Sequence, residues 1–239
     1  MIDWHSHILP ALDDGSKDVE ESLALLGSLS EQGVTCVVAT PHFYANDESV
    51  EAFLERRQEA YEVLARSLPG GMPCIRLGAE VKYYQGISRM AELRRLCIDQ
   101  TRVLLLEMPF CKWSEYTVKE LLELANAPGI SVMLAHVERY FFMQDKSVWR
   151  RLYERGILMQ VNASVFLHFA SRRRTLNFMK QGGVLFVGSD CHNTVDRPPR
   201  IGEAWEILKK KLDSGYCAQL REYGNSLLTK SSRRGNAVR

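Results

Sequence analysis

Val103-Leu104-Leu105-Leu106-Glu107 is an apolar run that closes on a carboxylate. A run this short, followed by a longer amphipathic stretch, reads as a strand buried on both faces. Six more runs have the same form: Met1 to Trp4, Cys36 to Thr40, Ile75 to Ala79, Ser131 to Ala135, Leu158 to Val161 and Val184 to Val187. Helix-like segments alternate with them over roughly residues 17–33, 47–67, 86–97, 114–127, 145–156, 171–182 and 201–215. Gly33, Gly156 and Gly182 stand where helix C-caps fall. Such alternation implies an α/β protein with parallel strands and helical crossovers. Seven strands point to a seven-stranded barrel, because an eight-stranded one takes about 250 residues. A doubly wound open sheet is the competing arrangement.

The 239 residues are 46% hydrophobic and 25% charged, enough apolar material for a full core. The net charge of +2 argues against a broad nucleic-acid-binding face. The apolar runs are far too short for a transmembrane segment. The opening MIDWHSH has no basic stretch before an apolar one, so no signal peptide is expected. Six cysteines without a C-x-x-C pair read as reduced thiols of a cytoplasmic protein. One domain is expected over residues 1–229, followed by a basic tail, KSSRRGNAVR, over 230–239.

The residues that close the runs carry the chemistry. They are His5 and His7, then His42, Glu80, Glu107, His136 and Asn162, and finally Asp190 and His192. The C-terminal ends of barrel strands are where active sites are built. Residues i and i+2 of a strand share a side, so His5 and His7, or Asp190 and His192, can grip one ion. Asp14 lies in a loop that Pro10 and Gly15 turn back toward the same mouth. Each piece alone is weak. Together, five histidines and four carboxylates meet at one mouth, where the crowded like charges would raise carboxyl pKa values unless cations were present. A multinuclear metal centre of His5, His7, Asp14, His42, Glu80, Glu107, His136, Asp190 and His192 is the expectation. Only His168 among the histidines lies outside it.

The segments HSHILPALDDGS, ATPHF, LGAE, LLLEMP, LAHVERY and GSDCHNTVDRPP, in this order, resemble the PHP (polymerase and histidinol phosphatase) superfamily. Within it they are most similar to the bacterial protein-tyrosine phosphatases of capsular and exopolysaccharide biosynthesis. The resemblance runs from Met1 to about Gly202. It implies a distorted (β/α)7 barrel with the metal site at the C-terminal ends of the strands. It also implies three divalent ions, with manganese favoured and Fe, Co or Zn as alternatives. By motif, His5, His7, Glu80 and Asp190 would hold the first ion, and Asp14, His42 and His192 the second. Glu107 and His136 would hold the third, with Glu80 bridging. The implied partner is a tyrosine-phosphorylated protein in the cytoplasm, an autophosphorylating bacterial tyrosine kinase. The chain departs at Ala11, where the family usually has Gly, and at Val137, where Pro is common.

The residues fit hydrolysis of an aryl phosphate by a metal-activated hydroxide. Arg139 and Arg197, in the loops after His136 and His192, are the candidate phosphate-gripping catalytic residues, since a guanidinium takes two oxygens and stays charged. Tyr140 and Phe43 stand either against a phosphotyrosine ring or in rim packing. No general acid is assigned, and His42 and His192 qualify only if free of metal. Cys191 and Arg197 form a Cys-x5-Arg, but the intervening His-Asn-Thr-Val-Asp has no glycine to wrap a phosphate, so Cys191 reads as a bystander. The alternatives are a small-molecule phosphatase such as a histidinol-phosphate phosphatase, an exonuclease using Lys112-Trp113 or Arg172-Arg173-Arg174, and a non-catalytic metal-bound adaptor for the kinase. The glutamate-rich segment from Asp47 to Arg66 is either a solvated face or a docking surface.

Overall fold

A computed structural model describes residues 1–180 and 185–229. Gly182, Val184 and the basic tail 230–239 lie outside the described residues. The first half of the chain carries β1 (Ile2–Ser6), α1 (Val19–Glu31), β2 (Cys36–Ala39), β3 (His42–Phe43), α2 (Val50–Ala65), β4 (Cys74–Leu77) and β5 (Glu80–Lys82). Then come β6 (Val103–Glu107), α3 (Glu115–Ala125), β7 (Ser131–Leu134), α4 (Lys146–Glu154), β8 (Leu158–Asn162) and α5 (Phe169–Lys180). The described chain ends with β9 (Leu185–Gly188), α6 (Ile201–Lys211) and α7 (Ser214–Thr229).

All strand pairs are parallel. One sheet has the order β1-β2-β4 and the other β3-β5-β6-β7-β8-β9. The second and third predicted runs form β2 and β4, and the residues that close them, His42 and Glu80, each open a further short strand, β3 and β5, which makes nine strands of seven runs. The break after β2 falls at Pro41, which has no N–H to give. The lateral bonding bridges the breaks, with Gly78 N donating to Ala39 O and Glu80 N to Pro41 O. At the other margin, His7 N donates to Cys191 O at 3.0 Å and Asp190 N to His5 O at 2.8 Å. β1 is thereby tied to the segment that follows β9.

Strands β6 to β9 are buried on both faces, and their alternation explains why. Leu104, Leu106, Val132, Leu134, Met159 and Val161 pack in the large core against the helices. Val103, Leu105, Met133, Ala135, Leu158 and Phe186 fill a second cluster with Trp4 and Val38. Continuing by twos along this second face gives Glu107 after Leu105, Gln160 and Asn162 after Leu158, and Gly188 after Phe186. The apolar cluster therefore forms the floor beneath the polar site.

Helix starts follow their caps. Asp18 accepts from Glu21 N to open α1, Ser49 from Ala52 N to open α2, and Ser114 from Thr117 N to open α3. The helix expected over 86–97 is instead two 3₁₀ pieces, Ile87–Arg89 and Ala91–Leu96. No side chain caps either start, and Met90 is extended between them (φ −72°, ψ 111°). The segment expected over 201–215 ends at Lys211, and α7 follows as an unanticipated separate helix. It lies over β1 and β9, where Gly224 lets Trp4 approach and Tyr223 meets Phe186 at 5.7 Å.

Candidate metal centre

The nine predicted side chains come together. His5, from β1, is fully buried, and its Nε2 lies 3.1 Å from His7 Nε2, 3.1 Å from Glu80 Oε2 and 3.6 Å from Asp190 Oδ1. His7 Nε2 lies 3.5 Å from Asp190 Oδ1. Glu80, which opens β5, also meets His42 Nδ1 at 3.1 Å and His136 Nε2 at 2.8 Å. Glu107 Oε1 is 3.7 Å from His136 Nε2. Asp14 Oδ1 is 3.3 Å from His42 Nε2 and 3.4 Å from His192 Nε2.

Three sets have ligand atoms all within 4.8 Å of one another: His5, His7 and Asp190; His7, Asp14, His42 and His192; and His42, Glu80 and Glu107. His7 and His42 thus each join two sets, and His136 adjoins the third through Glu80 and Glu107.

Two of these residues sit in left-handed backbone, His136 with φ 32° and Asp190 with φ 52°. A non-glycine residue there costs of order 1–3 kcal/mol, a strain that collects at functional sites. It turns both side chains inward at the ends of β7 and β9. Gly188 makes the close approach possible, because a Cβ there would lie 2.6 Å from His5 Cβ and 2.7 Å from Gln160 Nε2.

Charges in the cluster are mutually held. Burial would raise the carboxyls of Glu80 and Asp190, but the facing histidines hold both well below the carboxylate range. Burial would lower His7, but Asp13, Asp190 and Glu80 hold it well above the usual imidazole range. His5 is raised too, by Glu80 and Asp190 acting against burial. Burial, and then His7, push His192 down to about 4.

The donors fit divalent metal. Two ligands at about 2.1 Å from an ion, at tetrahedral or octahedral angles, stand about 3.0–3.4 Å apart. The His5–His7, His5–Glu80 and His42–Glu80 atoms have that spacing. His42 Nδ1 and His192 Nε2 are buried and lack hydrogen bonds despite those neighbouring carboxylates, as atoms aimed at an ion rather than at each other would.

A second layer stands behind these nine; of it, only Asn162 is among the run-closing residues, and Asp13 and Gln160 are additions. Asp13 Oδ2 sits 2.7 Å from His7 Nδ1 and also accepts from His42 N. Gln160 Oε1 contacts His5 Nδ1 at 3.2 Å and accepts from His136 N at 2.7 Å. Asn162 Nδ2 donates to Asp190 Oδ2 at 2.7 Å. Such partners fix tautomer and ring orientation. The signal was available: Asp13 adjoins Asp14, and Gln160 shares a strand face with Asn162.

A cavity of about 630 Å³ opens over Asp190, walled by Arg139, Arg197, Arg200, Glu138, Asn162 and His168. Arg197 reaches Asp190 Oδ2 at 2.8 Å and Arg139 at 3.3 Å. Burial pushes the Glu138 carboxyl up to about 8.

Two aromatic readings are corrected. Tyr140 and Phe43 are core residues, 1% and 0% exposed, with the Tyr140 hydroxyl donating to Met108 O and Phe43 packed on Phe53. The ring at the site is Tyr44, half-buried and stacked on His42 at 5.5 Å. Trp113 is buried too, so it offers no base-stacking platform. Cys191 is fully buried, and burial pushes its thiol up. The N–H groups of Val195, Asp196 and Arg197 donate to Asn193 Oδ1, so this loop is no phosphate cradle for a cysteine nucleophile. Glu48, just before α2, is engaged by Arg56, and Glu51, in its first turn, by Arg95.

Parallel strands that deliver histidines and carboxylates to one cluster define an α/β protein with groups able to bind metal. The family model for capsular polysaccharide synthesis, CpsB/CapC, matches residues 1–228, and the chain belongs to that family. Tyrosine-protein phosphatase CpsB of Streptococcus pneumoniae is 33% identical over 229 residues, covering 88% of this chain and 90% of its own. Tyrosine-protein phosphatase YwqE of Bacillus subtilis is 28% identical over 238 residues, covering 95% and 91%. A solved structure from work on YwqE of B. subtilis and CpsB of S. pneumoniae, described as metal-dependent tyrosine phosphatases, matches with TM-score 0.81. It is 26% identical, covering 95% of this chain and 94% of that one. An organophosphorus hydrolase from Deinococcus radiodurans, 13% identical with TM-score 0.55, shares the fold, covering 95% and 91%.

Proposed function

We propose that this chain is a metal-dependent protein-tyrosine phosphatase. Its substrate is a tyrosine-phosphorylated protein, an autophosphorylated bacterial tyrosine kinase of capsular or exopolysaccharide synthesis. The observation that carries the reading is the nine-residue cluster beside a cavity whose wall bears Arg139 and Arg197. The activity of its relatives supports it. The finer fold is a distorted (β/α)7 barrel. Counting β2 with β3 and β4 with β5 leaves seven strands, and the bonds between β1 and the segment after β9 support closure. It forms one cytoplasmic domain over 1–229.

His5, His7, Asp14, His42, Glu80, Glu107, His136, Asp190 and His192 would hold three divalent ions, manganese first, with Fe, Co or Zn as alternatives. Such ions supply Lewis acidity toward phosphoryl oxygens and the means to activate water. Arg139 and Arg197 bind the substrate phosphate. Each is only part-buried and already rests on one Asp190 oxygen, from which it can turn to phosphate oxygens. Asn162 keeps that carboxylate oriented when they do. Tyr44, stacked on His42, offers an aromatic wall. A phenol, with a pKa of about 10, leaves with little proton assistance, so the reaction needs no strong general acid.

The test is hydrolysis of a phosphotyrosine peptide, histidinol phosphate and an oligonucleotide side by side. Each is measured before chelation, after it, and after manganese is returned. Peptide hydrolysis lost on chelation and regained with manganese is expected. Activity that survives complete metal removal, or that favours histidinol phosphate, overturns the reading.

A further inference from the structure

A second cavity, of about 700 Å³, opens between α4 and α5, and none of its lining residues belongs to the nine-residue cluster. Its floor is aromatic. Phe141 stacks on Phe178 at 4.7 Å, and Trp149 stands edge-on to both, at 5.7 and 5.5 Å. Its rim is cationic, with Lys146, Arg150 and Arg174 against the single acid Glu154.

Those cations are unspent. Among the described residues, none of Lys146, Arg150 and Arg174 has a carboxylate within ion-pair distance. On α4, the helix of Lys146 and Arg150, Arg151 by contrast is paired with Glu115. The Arg174 guanidinium instead lies 3.3 Å from the ring centroid of Phe142, a side chain 72% exposed. The neighbouring Arg172 lies over exposed Phe169 at 5.8 Å. Unpaired guanidinium groups around an apolar floor complement a ligand that brings carboxylates and a ring.

The cleft is joined to the metal centre by a single turn. The 3₁₀ segment Val137–Tyr140 carries Arg139 to the cavity over Asp190, and the next residue, Phe141, is floor of the cleft. An extended peptide advances about 3.3 Å per residue, so one segment can span neighbouring sites. A small aryl phosphate cannot use both.

We propose that this cleft docks an acidic, aromatic-bearing segment of the phosphoprotein substrate, flanking the phosphotyrosine that enters the metal centre. The inference rests on the phosphatase reading. Aromatic residues of the segment lie on Phe141 and Phe178, half-buried above the buried Trp149, and its carboxylates meet Lys146, Arg150 and Arg174. The cleft so selects protein over small-molecule phosphate esters.

The experiment compares the full chain with the double variant Arg150→Glu/Arg174→Glu, and with Arg150→Gln/Arg174→Gln as a milder pair. Three substrates are used: a phosphotyrosine peptide with Glu- and Tyr-rich flanks, the same peptide with Gly and Ser flanks, and p-nitrophenyl phosphate. KM for the acidic peptide should rise about tenfold in the charge-reversed variant with kcat retained, and less in the Gln variant. KM for the other two substrates should not move. Anisotropy of a labelled, unphosphorylated acidic peptide reads the cleft without catalysis, and its binding should be lost in the charge-reversed variant. Equal wild-type KM for both peptides overturns the proposal, as does a parallel change on all three substrates. It also fails if the variants lose only cosedimentation with phosphatidylserine vesicles while peptide KM stays fixed. If the wild type hydrolyses no phosphotyrosine peptide, the phosphatase reading fails, and the anisotropy result still decides the cleft.

Discussion

His5 Nε2 and His7 Nε2 face one another at 3.1 Å, with Glu80 Oε2 at the same distance from His5. Protons satisfy such a pair poorly, and an ion satisfies it well. Metal should therefore stabilise the fold as well as serve the reaction. At a hundredfold excess over its Kd, a bound ion adds about 2.7 kcal/mol. For a chain of this size that raises Tm by about 5–10 °C. Calorimetry of chelated protein before and after manganese checks this, and an unchanged Tm would count against the centre.

Loading should release protons. Without metal, Asp13, Asp190 and Glu80 keep His7 protonated well above the usual imidazole range. A protonated nitrogen cannot ligate, so affinity for metal should climb as pH rises through that raised value. The stability contribution of the raised His5 and His7 runs the other way. It is complete below the unfolded value of about 6.5 and lost as pH rises through the folded one. Above about pH 6.5, where the depressed His192 is neutral in either state, chelated protein should therefore weaken with rising pH while manganese-loaded protein does not. Isothermal titration in two buffers of different ionisation enthalpy gives the proton count, and a count of zero near neutral pH contradicts the assignment.

Arg197 is the arginine set closest to Asp190, at 2.8 Å. Arg197→Ala should lower kcat/KM for an aryl phosphate by about 10²-fold, as loss of one preorganised donor does. Arg197→Lys should recover part of the loss, because it restores charge but not the two-pronged geometry. Metal content should stay intact in both. Wild-type kcat/KM in the alanine variant would remove Arg197 from phosphate binding.

Asp13 touches metal-ligand candidates only from behind. It holds His7 Nδ1 at 2.7 Å and accepts from the N–H groups of Gly15 and His42. Asp13→Ala should weaken metal affinity about 10- to 100-fold. Asp13→Asn should do less, because its carbonyl can still accept from the ring. Competition against a chromophoric chelator measures both, and equal losses in the two variants would show that only the charge matters.

Legibility differed by residue. The strand ends could be read because a polar residue closing a short apolar run is itself the signal, as at Glu107 after Leu106 or His136 after Ala135. Gln160 and Asn162 share their strand face with Leu158, yet only the packed structure puts Gln160 on both His5 and His136. The sequence places Tyr140 in the loop after His136 without showing which way its ring turns. The 3₁₀ turn points Arg139 outward and Tyr140 into the core. The break at Pro41 had a local cause visible in sequence, whereas α7 is held chiefly by distant contacts with Trp4 and Phe186.

Ala11 supplies the last prediction. Its backbone is left-handed, with φ 54°. That conformation costs a non-glycine residue about 1–2 kcal/mol. The side chain is exposed, so no packing is lost when its methyl is removed. Glycine gains freedom in the unfolded chain, which offsets about 0.4–1 kcal/mol. Ala11→Gly should still stabilise by roughly 0.5–1 kcal/mol, read as a higher urea midpoint at unchanged slope. Ala11→Val should destabilise, because a branched side chain tolerates positive φ least. The loop runs on to Asp13 and Asp14, so the glycine variant should also keep its metal affinity. A fall in either stability or affinity would mean that the alanine, and not the turn alone, holds the two aspartates in place.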